Sequence, residues 1–231
     1  MIGEHSSKQY DQELEGIRSK VLLMGGMVET QFEEALNCFR VGDSAKADKV
    51  MADDHAVNQL EVSLDDACSH LIVKRQPAAN DLRTVMATIK VITDLERIGD
   101  EASKIARTAK SLHERGVTGF GHYDIIRTIG KGTADLLHDA LDAFARLDGK
   151  QALAIIAADE VIDHEFRTIL RNLITFMMED PRTISSAIDT LWVAKAIERI
   201  GDHAKNIAEY VIYVVEGRDI RHTAKPVAQE L

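Results

Sequence analysis

A chain of 231 residues with 45% hydrophobic and 29% charged side chains has the balance of a folded globular protein of one large or two small domains. Three prolines, 5% aromatics and abundant Ala, Leu, Ile, Glu and Lys favour helices over sheets. The formal net charge of −10 argues against a nucleic-acid partner, because neutralising phosphates takes a basic face.

The first element runs through Leu14, Ile17, Val21, Met24, Val28, Phe32, Ala35 and Phe39, spaced by three or four, and predicts a long amphipathic helix ending near Gly42 and Asp43. Inside it, Met24-Gly25-Gly26-Met27 weakens the helix and points to a kink or a close helix crossing, with a dimer contact as the alternative. A second helix starts near Ser44, carries Val57, Leu60, Leu64, Cys68 and Leu71, and breaks at Pro77. The third spans about Asn80 to His113 with Ile92, Leu95, Ile98, Ala102, Ile105, Ala109 and Leu112 on one side. Gly116, Gly119 and Gly121 then read as a linker.

After the linker the plan restarts. Leu136, Leu137, Leu141, Phe144 and Leu147 mark a fourth helix that breaks at Asp148 and Gly149. Ile155, Ile162, Ile169, Leu173 and Phe176 mark a fifth that breaks at Pro181, and Val193, Ile197, Ile200, Ala204, Ile207, Val211 and Val214 a sixth that ends at Gly217. ERIGD occurs at 96–100 and again at 198–202, and DAFARLD at 142–148 matches LNCFRVGD at 36–43. The sequence therefore predicts an all-α protein made of two tandem, duplicated antiparallel three-helix bundles, residues 8–115 and 122–217, with a linker at 116–121 and tails at 1–7 and 218–231. The segment 217–223 reads as a frayed end.

Cys38 and Cys68 sit at positions that suit small core residues, and nothing in their spacing suggests a disulfide framework. The N-terminal stretch lacks the basic-then-apolar order of a secretory signal, and YVIYVV at 210–215 is far short of the roughly 20 residues a membrane span needs. A cytoplasmic protein that meets a membrane only through a partner is expected.

On a helix, Glu96 and Asp100 share a face, as do Glu198 and Asp202. A single Glu-x-x-x-Asp is ordinarily a solvated helix face. Two in register call for more, and a hairpin about Pro77 supplies it. Asp54 and Asp100 both lie 23 residues from Pro77, and Asn58 and Glu96 both lie 19 away, so equal rise per residue makes them level. Around Pro181 the distances are 22 and 21 for Asp159 and Asp202, and 18 and 17 for Asp163 and Glu198. Three carboxylates and an amide in one copy, and four carboxylates in the other, would cluster. Such groups raise one another's pKa unless a cation intervenes. The eight residues Asp54, Asn58, Glu96, Asp100, Asp159, Asp163, Glu198 and Asp202 are thus the candidate metal ligands, with Mg, Mn, Ca or Fe as suitable ions. His203 is a further candidate without a counterpart, Glu101 standing in its place; Asp94 and Glu101 are left out of the site because Ala196 replaces the former in the second copy. With no phosphate loop, no Ser-His-Asp order and no paired Glu-x-x-His of the di-iron bundles, the chain is not expected to be an enzyme.

The strings KRQPAANDLR, TDLERIGD, FMMEDPRTI and ERIGDHAKNIAEYVIY, with two three-helix units over about residues 8–223, closely resemble the PhoU family of phosphate-signalling regulators. Asn58 is the one departure, standing where a second carboxylate would complete the first pair. The resemblance implies a cytoplasmic accessory protein of the high-affinity phosphate ABC transporter that restrains uptake and the phosphate-starvation response. It also implies PstB, the transporter's ATPase subunit, and the sensor histidine kinase PhoR as partners, a homodimer or higher oligomer, and metal on the acidic motifs. A bundle that stores or oxidises metal with the same carboxylates is the competing class, as is a structural adaptor without metal.

Overall fold

The computed structural model describes residues 8–116 and 123–221, and is helical throughout apart from short connections. Its elements are α1 (Lys8–Val41), α2 (Ser44–Arg75), α3 (Ala79–Glu114), α4 (Tyr123–Arg146), α5 (Gly149–Glu179) and α6 (Ile184–Glu216), with one 3-10 turn at Pro181–Thr183. Most of the expected linker, 117–121, and the tails 1–7 and 222–231 lie outside the described residues.

The breaks are made by local chemistry and are duplicated. Asp43 and Asp148, both extended, cap α2 and α5 by accepting backbone N–H bonds from Lys46 and from Lys150 and Gln151. Gly42 ends α1 and Gly217 ends α6 in the left-handed conformation, each at φ 74. At the α2 to α3 turn Gln76 takes that conformation (φ 47), donating its N–H to the Ile72 carbonyl just before Pro77. At the equivalent α5 to α6 turn Asp180 instead accepts from Arg182 N and Arg182 Nε.

Within each repeat the three helices pack on one another: α1, α2 and α3 in the first, α4, α5 and α6 in the second. The repeats join through two helix pairs, α3 with α6 and α1 with α4. The α1 to α4 contact explains Gly25 of the glycine pair, whereas a Cβ on Gly26 would meet nothing within 4 Å. A Cβ on Gly25 would lie 2.7 Å from Leu141 Cδ2, and one on Gly130 would lie 2.9 Å from Leu36 Cδ2. These two contacts are each other's image under the duplication, so the molecule has an internal twofold and Gly25 marks a helix crossing.

The core is one continuous aliphatic body, with Met24, Phe32, Leu64, Leu95, Ile98, Ile126, Leu137, Leu173, Ile200 and Val211 among its buried members. Cys38 and Cys68 are both free thiols within it. Residues 218–221, which the sequence pattern assigns to a tail, fold back onto α6. Ile220 packs against the core and the Arg221 guanidinium stacks over Tyr210, 5.8 Å from the ring centre.

Candidate metal centre

Both ERIGD motifs lie mid-helix, on α3 and α6. Ile98 and Ile200 point into the core and are fully buried. Gly99 and Gly201 sit where α2 and α5 come close: a Cβ at Gly99 would stand 3.1 Å from Asp54 Oδ1 and 3.2 Å from Gln31 Oε1, and one at Gly201 would stand 3.5 Å from Asp159 Oδ1. The missing side chain is what lets a carboxylate of the neighbouring helix tuck beside the motif. Asp54 and Asp159 are thus level with the motifs, as the hairpin geometry predicts.

In the second repeat the four expected residues come together. Burial, then Glu198, Asp159 and Asp163, push the Asp202 carboxyl up to about 6. In the first, burial, then Asp100 and Asp54, push Glu96 above the usual carboxylate range, with Arg97 opposing. Asn58 lies on the same stretch of α2, its Oδ1 buried without a partner. Glu61, one turn further along α2, joins this cluster and was not foreseen. Burial, then Glu96 and Asp65, push its carboxyl up, and Asp100 adds to the effect. The i, i+3 spacing from Asn58 contains the signal, but comparison of the two copies conceals it, because Phe166 occupies the matching place.

Of the cations around the clusters, Lys205, Lys195 and Arg167 also went unforeseen. Lys205 Nζ donates to Asp159 Oδ2 at 2.8 Å, and that carboxylate is only 2% exposed. Lys195 pairs with Glu198, and Arg167 Nη2 with Asp163 Oδ2 at 3.4 Å. In the first repeat Asp54 instead accepts from the amide of Gln31 at 3.1 Å, and Arg97 approaches Glu96 at 3.5 Å.

His203 does not join the acidic cluster. With Nδ1 protonated it donates to Asp94 Oδ1 at 2.6 Å, across the seam between α6 and α3. Asn206 Nδ2 donates to the same oxygen at 3.1 Å, and the Tyr210 hydroxyl, pushed up to about 12 by burial and by Asp94, bonds the same carboxylate. Seven residues on, Glu101 accepts from Arg199 Nη1 at 3.1 Å and from Lys104 at 2.9 Å. Asp94 and Glu101, both buried, therefore lock the two bundles together, which accounts for acidic residues beside the motif that the duplication does not repeat.

Among the described residues no group of three or more His, Cys, Asp or Glu side chains is placed to hold a metal ion as it stands. The chemistry of the clusters nonetheless fits a hard cation: all donors are oxygens, glycines open the approach, and the Gln31 and Asn58 carbonyl oxygens are buried without partners.

Fold and site together define a duplicated three-helix-bundle protein with an acidic cluster in each half. The PhoU domain model matches twice, at residues 21–109 and 126–211. The chain belongs to the PhoU family. It is 47% identical over 221 residues to the phosphate-specific transport system accessory protein PhoU homolog of Pseudomonas aeruginosa PAO1, spanning 96% of this chain and 91% of that one. It is 45% identical over 224 residues to the accessory protein PhoU of Escherichia coli K12, with the same shares. The crystal structure of PhoU from Pseudomonas aeruginosa superposes with a TM-score of 0.88 at 47% identity, covering 90% of this chain and all of that one. The phosphate transport system regulatory protein PhoU from Streptococcus pneumoniae superposes with a TM-score of 0.84 at 28% identity, covering 91% and 98%.

Proposed function

We propose that this chain is a cytoplasmic, non-enzymatic accessory protein of a phosphate-specific transport system, restraining phosphate uptake and phosphate-starvation signalling. The observation that carries the reading is the near full-length relationship, over both repeats, to proteins named as accessory proteins of a phosphate-specific transport system. No described helix is long and apolar enough to cross a membrane, so membrane contact would come through a partner. The partners in this reading are the transporter's ATPase subunit, PstB, and the sensor kinase PhoR, whose inhibited state the protein would favour. A homodimer fits the apolar edge on α6, where Ile184, Ile188 and Trp192 recur every four residues and Trp192 is 63% exposed.

A divalent or trivalent ion such as Mg, Mn or Fe would be held by carboxylate and amide oxygens of the acidic clusters, and would supply charge neutralisation there. The chain's own residues present the broad surface, and the seam of Asp94, Glu101, Arg199 and His203 keeps the two halves in one orientation. Affinity capture from detergent-solubilised cells, grown with plentiful and then scarce phosphate, tests the partner assignment. Recovery of the transporter ATPase and a sensor kinase supports it, and absence of both in both conditions refutes it.

A further inference from the structure

We propose that the two acidic clusters have diverged: the one between α2 and α3 is this chain's multivalent-cation site, with Glu61 among its ligands, whereas the one between α5 and α6 carries its counter-charge internally. This rests on the cation reading above and assigns it to one half of the molecule.

The duplication allows a position-by-position comparison. Residues of α1 and α2 match those of α4 and α5 at an offset of 105, and residues of α3 match those of α6 at 102, as the paired helix crossings and motifs show. At the place of Lys205 the first repeat has Ser103, and at the place of Lys195 it has Thr93. Gln31 stands where the second repeat has the buried Leu136, and Glu61 stands where it has Phe166. Asn58 stands in the place of Asp163 and Val62 in the place of Arg167. Of these six substitutions three remove cationic groups from the first cluster and one adds a buried amide, while the carboxylate lost at Asn58 is replaced by the one gained at Glu61.

The contacts follow the substitutions. In the second repeat three of four carboxylates hold a cationic side chain: Asp159 with Lys205, Glu198 with Lys195 and Asp163 with Arg167. Phe166, in Glu61's place, lies under the Lys195 ammonium at 5.3 Å and helps hold it there. In the first repeat, among the described residues, Asp54, Glu61 and Asp100 have no lysine or arginine in ion-pair contact. Glu96 has only Arg97, whose side chain is 58% exposed. Four carboxylates face one loosely held cation there, against three in the second.

An independent observation points to a ligand in the first cluster. Gln31 is 3% exposed and its Nε2 is fully engaged, donating toward Asp54, Ser103 and the carbonyls of Val50 and Gly99. Its Oε1 has no partner and is directed at the opening beside Gly99, next to Asp54 Oδ1. Leaving a buried carbonyl oxygen unsatisfied is costly, and a hard cation accepts both oxygens. The unpartnered Oδ1 of Asn58 adds a second neutral donor on the same side of α2. The second repeat has Leu136 and the Asp163 carboxylate at those places, so it offers no comparable neutral oxygens.

Titration of the chelator-treated, full-length protein with Mn²⁺ alone, read by the electron paramagnetic resonance of free Mn²⁺ and by elemental analysis after desalting, tests the assignment. Wild type is expected to show one class of tight sites. Glu61→Gln should weaken it by at least about tenfold, a loss typical of altering a metal's ligand environment, while Asp163→Asn leaves it within about twofold. Lys195→Met with Lys205→Met should create a second class. Circular dichroism confirms that the variants fold, and Asp100→Asn provides a second test at an unrelated position of the same cluster. Equal losses from Glu61→Gln and Asp163→Asn, or a loss confined to Asp163→Asn, overturn the asymmetry and leave the cation reading intact. No Mn²⁺ bound by wild type overturns both.

Discussion

Asp202 offers a direct check on the electrostatic account of the second cluster. It is the one carboxylate of the four without a cationic side chain in ion-pair contact, and burial with three acidic neighbours raises it from 3.8 to about 6. For an acid whose folded pKa lies above its unfolded one, the favourable contribution is complete below about 3.8 and is lost as pH rises through about 6. Two units would correspond to about 3 kcal/mol at full weight. The side chain is only half buried, so solvent screening reduces this to about 1–2 kcal/mol. Asp202→Asn keeps the shape and removes the charge. In EDTA at pH 8 the variant should therefore be more stable than wild type by about 1–2 kcal/mol, or about 2–8 °C in Tm for a domain of this size. The difference should shrink steadily as pH falls from 7 toward 4, where wild type takes up the proton itself. Thermal unfolding followed by circular dichroism at matched pH values measures it. A variant less stable than wild type at pH 8, or an offset that does not change with pH, would refute the reasoning.

Asp94→Ala removes the acceptor for His203, Asn206 and Tyr210 and should cost about 3 kcal/mol, read as a lower urea midpoint; Asp94→Asn, which keeps an acceptor oxygen, should cost less. Gly25→Leu forces bulk against Leu141 at the α1 to α4 crossing and should destabilise by about 1–3 kcal/mol, measured the same way. Cys38 and Cys68 are buried, and desolvation pushes the Cys68 thiol up to about 11. Neither should react with a disulfide reagent at pH 8 until denaturant unfolds the chain, so rapid labelling of native protein would contradict the buried placement.

Helix order and the pairing of copies were legible because the signals are periodic and repeated: apolar spacing, matching breaks at Gly42-Asp43 and Asp148-Gly149, and prolines at both hairpin turns. Equal rise on both arms then placed Asp54 and Asp159 beside their motifs with no tertiary information. What escaped were contacts between the repeats and departures from the duplication. His203 follows Asp202 directly in the chain, yet a helix turns successive residues by about 100°, which carries it to the seam and Asp94. Glu61 escaped because the duplication does not repeat it: Phe166 occupies its place in the second copy. Lys195 and Lys205 lie three residues from Glu198 and Asp202, a spacing that licenses contact, but only the fold shows that Lys205 passes its nearest acid and crosses to Asp159.

The retention of five consecutive letters in two otherwise divergent copies follows from geometry. One turn of helix has to serve three surroundings at once. Glu and Asp, four apart, face the acidic cluster of their own bundle, while Ile fills the core. Gly admits the carboxylate of the neighbouring helix, and a larger residue at Gly99 would displace Asp54 and Gln31 together. Arg lies between cluster and seam: Arg97 turns to Glu96 of its own motif, while Arg199 reaches Glu101 across the molecule. Because α3 and α6 run antiparallel where Glu101 meets Arg199 and Asp94 meets His203, the two motifs pass each other at the centre of the seam. A change in the charge of either cluster is then one residue away from an ion pair or hydrogen bond that sets the angle between the halves. Outside the five letters the two copies differ: on the motif helices a lysine stands against a serine at 205 and 103 and a lysine against a threonine at 195 and 93, and on the neighbouring helices a phenylalanine stands against a glutamate at 166 and 61.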